Sequence, residues 1–157
     1  MISKQERAQI QLLSDTELYR QAIEFMQSIG NNTLSSSQVN GLLNVSLTGT
    51  YSELNMFIKR QQERTWKHNQ QYIPDFYKKL TQKLPVLEEY EPTIAGHGQE
   101  KRSYAEKTAL HMALAREFIQ HILAENAYKS AQKEATPNNQ HNDREPRQPQ
   151  TREGHRQ

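Results

Sequence analysis

The motif Ser103-Tyr104-Ala105-Glu106 restricts the fold of this chain more than any other feature. A serine followed three residues later by a glutamate is a capping box, in which both side chains bond to free amides at a helix N-terminus. Behind it, residues suited to one buried face recur at the three- and four-residue spacing of a helix. They are Thr108, Met112, Ala115, Ile119 and Ile122. The pattern predicts a long helix from Ser103 to about Lys133.

The same spacing upstream predicts three or four further helices. The first is predicted from Asp15, its cap, to about Ile29, and the second from Ser35–Ser37 to Gly49. The third begins at Thr50 in a capping box with Glu53 and extends to about Gln70, while the fourth has Pro74 in its first turn and Pro85 at its end or kink. Ile73, Phe76, Tyr77, Leu80 and Leu84 form the buried stripe of that fourth helix. No segment alternates between apolar and polar residues as a strand does. We therefore predict an all-α fold, a small bundle of four to five helices.

Composition sets the limits of the folded part. Only 34% of the residues are hydrophobic and the mean hydropathy is −1.00, which is a small core for 157 residues. From Thr136 onward there is no aliphatic or aromatic residue. This segment cannot bury apolar surface to compensate for the conformational entropy that it would lose on ordering. We predict a helical domain over residues 8–133, a disordered polar tail over 134–157, and fraying of Met1–Gln5.

The residues required for catalysis or metal binding do not form a recognisable pattern. There is no cysteine, no glycine-rich phosphate loop and no HExxH motif. His111 and His121 lie about 280° apart around one helix and do not converge on one ion. Glu88, Glu89 and Glu91 fit a solvated turn better than a cation loop. The prediction is a protein that is not an enzyme and has no cofactor or metal.

The sequence also lacks membrane and export signals. The first residues carry no apolar run like that of a signal peptide, and no stretch approaches the roughly 18 apolar residues that span a bilayer. We expect a cytoplasmic protein without membrane contact.

Positive charge is concentrated in the middle of the chain. Residues 59–83 include seven basic and two acidic side chains, although the net charge of the whole chain is only +2. At 100° per residue, Arg60, Arg64 and Lys67 project together from the side of the third helix opposite its core face. A row of cations one helical turn apart suits the phosphates of a nucleic-acid strand. The predicted RNA-binding residues are Lys59, Arg60, Arg64, Lys67, Lys78, Lys79 and Lys83, the last three forming a second strip beside the first.

Trp66 lies on the flank of the basic row, next to Lys59. Its ring is suited to stacking on an unpaired base. A single tryptophan more often closes the core of a bundle. The sequence leaves both roles open.

Two segments resemble the small α-helical subunit of type III CRISPR effector complexes. They are Leu34-Ser35-Ser36-Ser37-Gln38-Val39-Asn40-Gly41-Leu42-Leu43 and Phe118-Ile119-Gln120-His121-Ile122-Leu123-Ala124-Glu125-Asn126-Ala127-Tyr128-Lys129, and helix order and size agree over residues 15–133. Asn40 departs from the family, in which a basic residue is frequent at this position. The resemblance implies a non-catalytic subunit of a ribonucleoprotein that lines the channel holding guide and target RNA in antiviral defence. Its partners would be these RNAs, other effector subunits and further copies of itself.

Two other classes of protein stay open. Val39–Leu47, the turn Thr48-Gly49-Thr50 and Tyr51–Lys67 also have the order of a helix-turn-helix DNA-binding protein. In such a protein the base-reading residues lie near the start of the second helix, where this chain has Ser52, Glu53 and Asn55. The third class is a protein-only helical adaptor whose basic strip meets an acidic partner.

Overall fold

The computed structural model describes residues 1–94 and 101–136 and, within these residues, contains helices and no strand. The helices are α1 (Lys4–Leu13), α2 (Tyr19–Ser28), α3 (Ser36–Thr48), α4 (Tyr51–Glu63), α5 (Tyr72–Glu88) and α6 (Tyr104–Ala135). The π-helical turn Ser14–Leu18 joins α1 to α2, so that the bundle consists of five helical rods. The all-α prediction is therefore confirmed. Residues 134 and 135, which the prediction assigned to the tail, are the last two residues of α6, and beyond Thr136 the predicted tail lies outside the described residues.

Helix α6 is the axis of the bundle, and the α1–α2 rod lies parallel to it. The Ser14 hydroxyl donates to Glu117 at 2.8 Å, and further along both rods the Lys129 ammonium donates to the Gly30 carbonyl at 2.8 Å. With 32 residues, α6 is about 48 Å long. Neither α6 nor any other helix among the described residues combines the length and apolar character needed to cross a bilayer.

Helix α3 runs antiparallel to α6 on another side. At its start, the Leu34 amide donates to the Asn126 side chain at 2.7 Å, and Asn126 donates back to the Leu34 carbonyl at 3.2 Å. At its end, Arg116 Nε donates to the Ser46 carbonyl at 2.8 Å. These polar contacts fix the register of the two helices because Asn126 and Ser46 are both buried.

Three phenylalanines from different helices form the centre of the core. Phe25 packs edge-on against Phe76 and Phe118, with ring centroids 5.4 Å and 5.8 Å apart, and thereby joins α2, α5 and α6. The five stripe residues predicted for the fourth helix are all buried: Ile73, Phe76, Tyr77, Leu80 and Leu84. The apolar spacing identified this face of α5 correctly.

The first helix begins earlier than predicted. Ser3 and Glu6 form a capping box that starts α1 at Lys4, so the expected fraying of Met1–Gln5 is wrong from Lys4 onward. Asp15 is not a cap, because it lies inside the π-helical turn between α1 and α2. The Ser-x-x-Glu motif at residue 3 has the same spacing as the one at Ser103 and was the overlooked signal.

The third predicted helix, α4, is shorter than predicted. It begins at Thr50 with the expected capping box, but it ends at Glu63 because Arg64 is extended (φ −63°, ψ 144°). After Ile58 its core-facing positions are polar, so burial does not carry the helix further. The indole N–H of Trp66 instead donates to the Gln61 carbonyl at 2.8 Å and satisfies one of the free carbonyls of the helix end.

Pro85 does not end α5, which continues to Glu88. The side chain of Pro85 is exposed, whereas Leu84 and Leu87 on the same last turns are buried. The apolar contacts of these two leucines hold the last turn in helical form despite the missing amide donor of the proline.

Arg102 ties three distant segments together just before α6. Its guanidinium lies 3.2 Å from Glu6 of α1 and 2.9 Å from Glu91, and it also donates to the Ile94 carbonyl. The side chains of Arg102, Glu6 and Glu91 are 13%, 14% and 18% exposed. Glu91 therefore belongs to an ion-pair network rather than to the solvated acidic turn expected from the sequence.

Replacing Arg102 by methionine should destabilise the fold by about 3 kcal/mol, because two largely buried carboxylates lose their counter-ion. Urea unfolding of the full chain measures this change. Arg20→Met is the matched control, since the Arg20 pairs with Glu17 and Glu24 are largely exposed and should contribute much less. An equal effect of the two substitutions would contradict the assigned role of Arg102.

Stability should also fall in acid because of the three capping boxes. Amide hydrogen bonds at the helix starts hold the pKa of Glu6, Glu53 and Glu106 below the ordinary value of 4.5. The unfolded chain then binds protons at higher pH than the folded chain, so the unfolding free energy decreases as the pH falls below about 4.5. The double variant Glu53→Gln, Glu106→Gln should show a shallower decrease in urea unfolding at different pH values. Glu134→Gln, outside any capping box, should keep the original slope, and an unchanged slope in the double variant would refute the explanation.

Candidate nucleic-acid interface

Four of the seven predicted RNA-binding cations lie together, where α4 ends and the loop to α5 begins. We call Lys59, Arg60, Arg64 and Lys67 the α4-end cluster. All four side chains are exposed. Lys59 is 3.8 Å from Glu63, a pair in which both side chains are mostly exposed and which contributes little stability. Among the described residues, the side chains of Arg60 and Lys67 have no hydrogen-bond or ion-pair partner.

The prediction that three cations form a row on one helix face is wrong. Arg60 lies in the last turn of α4, Arg64 is its extended C-cap, and Lys67 lies in the loop. A helical repeat therefore does not set the spacing of these charges. The cluster is a patch at a helix end rather than a row along a rod.

Contacts within the loop hold this patch in place. The Arg64 guanidinium lies over the Trp66 ring, 4.7 Å from its centroid. The Gln71 side chain donates to the carbonyls of Trp66 and Lys67 at 3.0 Å and 3.2 Å. The loop that carries Arg64 and Lys67 is thus anchored through its backbone, while the two charged groups face outward.

Trp66 has a structural role that the sequence left undecided. It is half-buried against the core, and its N–H bond to Gln61 fixes the orientation of the ring. Arg64 covers the ring on one side. The planar group that the patch presents is therefore the guanidinium of Arg64, with Trp66 as its support.

Lys79 caps another helix and does not join the α4-end cluster. Its ammonium donates to the Ser28 carbonyl at 2.6 Å, at the C-terminal end of α2. Lys129, from α6, donates to Gly30 and Met26 at the same helix end. Two lysines thus satisfy carbonyls that the end of α2 leaves without intrahelical partners.

Lys83 also faces the interior of the bundle. Its ammonium lies 5.9 Å from the centroid of the Phe118 ring. Burial lowers the pKa of Lys83, and the nearby carboxylates of Glu24 and Glu17 oppose this effect. Lys83 is placed to interact with α2 and α6 rather than with an external ligand.

The predicted groove between two basic helices does not form. On α5, Tyr77 contacts the Phe57 ring and Thr81 the Gln62 side chain, so these positions face α4. Lys79 is two residues from each and therefore lies on the opposite side of α5. Lys78 is exposed, but it lines a cavity with Lys79 and with Ser28 and Ile29 at the end of α2, and no residue of the α4-end cluster lines that cavity.

A second surface, which shares only Lys59 with the sequence-based set, lies along the first half of α6. We call it the α6 cleft: α4 borders it on one side and the N-terminal segment on the other, and it comprises two adjoining cavities of about 850 and 530 Å³. Ile2, Ala113 and Arg116 line both cavities. Its residues come from three separate segments, and the only local sequence signal is the four-residue spacing of Ala105, Ala109 and Ala113.

One polar cluster contains the residue types of a nucleophile and its base but lacks their arrangement. It consists of Ser14, Glu117 and His121. Ser14 Oγ is 2.8 Å from Glu117 and 2.9 Å from His121 Nε2, but Ser14 is 1% exposed and the carboxylate bonds to the serine rather than to the imidazole. His111, by contrast, packs against Tyr51, at a separate place in the bundle. In residues 1–94 and 101–136, no three histidine or acidic side chains are close enough to hold a metal ion.

Comparison with known proteins leaves the chain without an assigned family. No protein-family model matches it, and no curated protein or solved structure shows significant similarity.

The distinction between capping and exposed lysines is testable on α5. Lys79→Ala should lower the unfolding free energy by about 1 kcal/mol, because the Ser28 carbonyl loses its hydrogen bond. Lys78→Ala, one residue earlier and exposed, should leave the urea midpoint almost unchanged. Equal midpoints for the two variants would show that Lys79 is not a stabilising cap.

Proposed function

We propose that this protein is a non-catalytic RNA-binding subunit whose α4-end cluster contacts the phosphate backbone. The observation that carries the proposal is the exposed group of Lys59, Arg60, Arg64 and Lys67 on an anchored loop, with Glu63 as its one paired carboxylate among the described residues. When protein cations bind phosphates, counterions condensed on the nucleic acid are released, and this release favours binding. Cations that are unpaired within the fold are free to make such contacts. Basic residues at the end of α4 also complement its dipole, but Lys67 lies beyond the reach of that effect.

The chemistry of the cluster favours binding without sequence preference. Ammonium and guanidinium groups contact phosphates through charge, and contacts of this kind position a nucleic acid without reading its bases. The guanidinium of Arg64, supported by Trp66, adds a flat surface on which an unpaired base can stack. Single-stranded RNA, or the exposed backbone of an RNA duplex, is the ligand that fits such a patch.

The biological setting that we propose follows from the resemblance of the sequence to the type III CRISPR small subunit. In that setting the protein works in the cytoplasm, in antiviral defence, beside guide and target RNA. Base pairing supplies the sequence specificity of an RNA-guided complex, so a subunit that holds only the backbone suffices. Cleavage would belong to neighbouring subunits.

The geometry disfavours the helix-turn-helix alternative. Ser52 and Asn55, near the start of α4, are exposed polar residues on the rim of the α6 cleft, and neither they nor Glu53 carries a positive charge for DNA phosphates. Glu53 is occupied in its capping box and would place a carboxylate against DNA. The exposed cations are at the other end of α4, whereas recognition helices read bases near their start.

The double variant Arg60→Ala, Arg64→Ala should weaken binding of single-stranded RNA uniformly across sequences. Loss of two phosphate contacts should make the slope of log K against log salt shallower by about 1.4. Fluorescence anisotropy with oligouridine and a mixed-sequence RNA, at several salt concentrations, measures both effects.

The matched control is Lys107→Ala with Lys133→Ala, which removes two exposed charges from α6. This control should retain the affinity and the salt slope of the unmodified chain. Equal losses in the two double variants would mean that overall charge, not the α4-end cluster, holds the RNA. Tighter binding to one DNA duplex site than to RNA would support the DNA-binding alternative instead.

A further inference from the structure

The α6 cleft exposes an apolar surface that the bundle leaves uncovered. Its floor is made by Ala105, Ala109 and Ala113, which lie one helical turn apart, and by Met112. At its rim Met56 is 49% exposed and Tyr104 is 83% exposed. Small residues at this spacing let another helix approach α6 closely, and the large side chains at the rim supply apolar contact area.

The charges around the cleft are mainly positive. Lys59 and Arg116 border its larger part, and Arg7 borders the smaller part. Glu117 is the one carboxylate among the lining residues, and it keeps its negative charge while it accepts from Ser14, so the lining has three basic groups and one acidic group. Arg116 uses Nε to bond with the Ser46 carbonyl, while its terminal nitrogens and the Arg7 guanidinium have no carboxylate partner among the described residues.

We propose that the α6 cleft binds an amphipathic helix of a partner protein, with carboxylates flanking its apolar stripe. The apolar stripe packs on the alanine floor, and the flanking carboxylates pair with Arg7 and Arg116. Burial of the apolar stripe provides most of the affinity, and the charges set the orientation and the choice of partner. This proposal does not depend on RNA binding by the α4-end cluster.

The floor of the cleft, as distinct from the polar residues Ser52, Asn55 and Thr108 that also line it, suits a protein helix better than a nucleic-acid strand. Ala105, Ala109, Ala113 and Met112 provide no side-chain hydrogen-bond donor to a phosphate. An RNA backbone placed there would be desolvated against apolar side chains at a cost that two or three peripheral cations do not offset.

A pair of designed peptides tests the proposal on the full chain. Each peptide has about 18 residues and forms a helix about 27 Å long with one leucine stripe. One peptide has glutamates on both sides of the stripe and the other has lysines. Measured by fluorescence anisotropy, the glutamate peptide should bind at least about tenfold more tightly than its lysine twin, because its charges complement the rim.

Two variants and one control test whether the peptide binds in the cleft. Ala109→Trp fills the floor and should weaken binding of the glutamate peptide at least about tenfold, whereas Ala127→Trp, at an exposed position of the same helix, should not. Arg7→Glu should reduce the preference for the glutamate peptide over the lysine twin. Arg7 makes no ion pair among the described residues, so the fold should tolerate this change, and a thermal melt checks that it does.

Several outcomes would overturn the proposal. They are failure of both peptides to bind, equal affinity of the two peptides, and insensitivity of binding to Ala109→Trp. Loss of RNA affinity in Ala109→Trp without loss of peptide affinity would instead identify the cleft as a nucleic-acid site. Because neither Arg60 nor Arg64 is altered, failure here leaves the test of the α4-end cluster unaffected.

Discussion

The edge-to-face contacts of Phe25 with Phe76 and Phe118 are the interaction on which the rest of the fold depends. They bring α2 and α5 onto α6 at one point, and the orientations of both helices follow from it. With α2 in place, its C-terminal carbonyls face Lys79 and Lys129, which become caps. With α5 in place, α4 packs on its other side and its basic end projects from the bundle. Burial at one aromatic junction thus decides which cations are internal and which are exposed.

Three helix starts were predicted correctly because capping is a local interaction, whereas Asp15 was wrongly chosen as the first cap and Ser3 was missed. The caps at Ser35, Thr50 and Ser103 lie where their side-chain spacing indicated. The ends near Ile29 and Gly49 were also predicted, but the ends of α4 and α5 were not, because these two depend on contacts made by residues further along the chain. The end of α4 is set by the indole of Trp66 rather than by a glycine or proline, and Pro85 is tolerated because Leu87 is buried. The π-helical turn between α1 and α2 has no recognisable signal in the sequence.

The candidate site was predictable only in part, for a related reason. A helical projection shows on which side of a helix a lysine lies, but not what packs against that side. Lys78 and Lys79 are neighbours of identical type, yet one is exposed and the other bonds to a carbonyl of α2. The α6 cleft, assembled from α1, α4 and α6, required the tertiary structure. The prediction of exposed side chains is confirmed for Arg60, Arg64 and Lys67. The continuous helix that was expected to align them ends at Glu63.

We propose that the exposed end of α4 and the anchored loop after it bind the phosphate backbone of RNA. Amide chemical-shift mapping by nuclear magnetic resonance, with the full chain titrated by oligouridine, tests it most directly. We expect the largest shifts in residues 59–67, with smaller effects on α5 and α6. Shifts centred on Lys78–Lys83, or an absence of shifts in residues 59–67 under conditions where RNA binds, would contradict it.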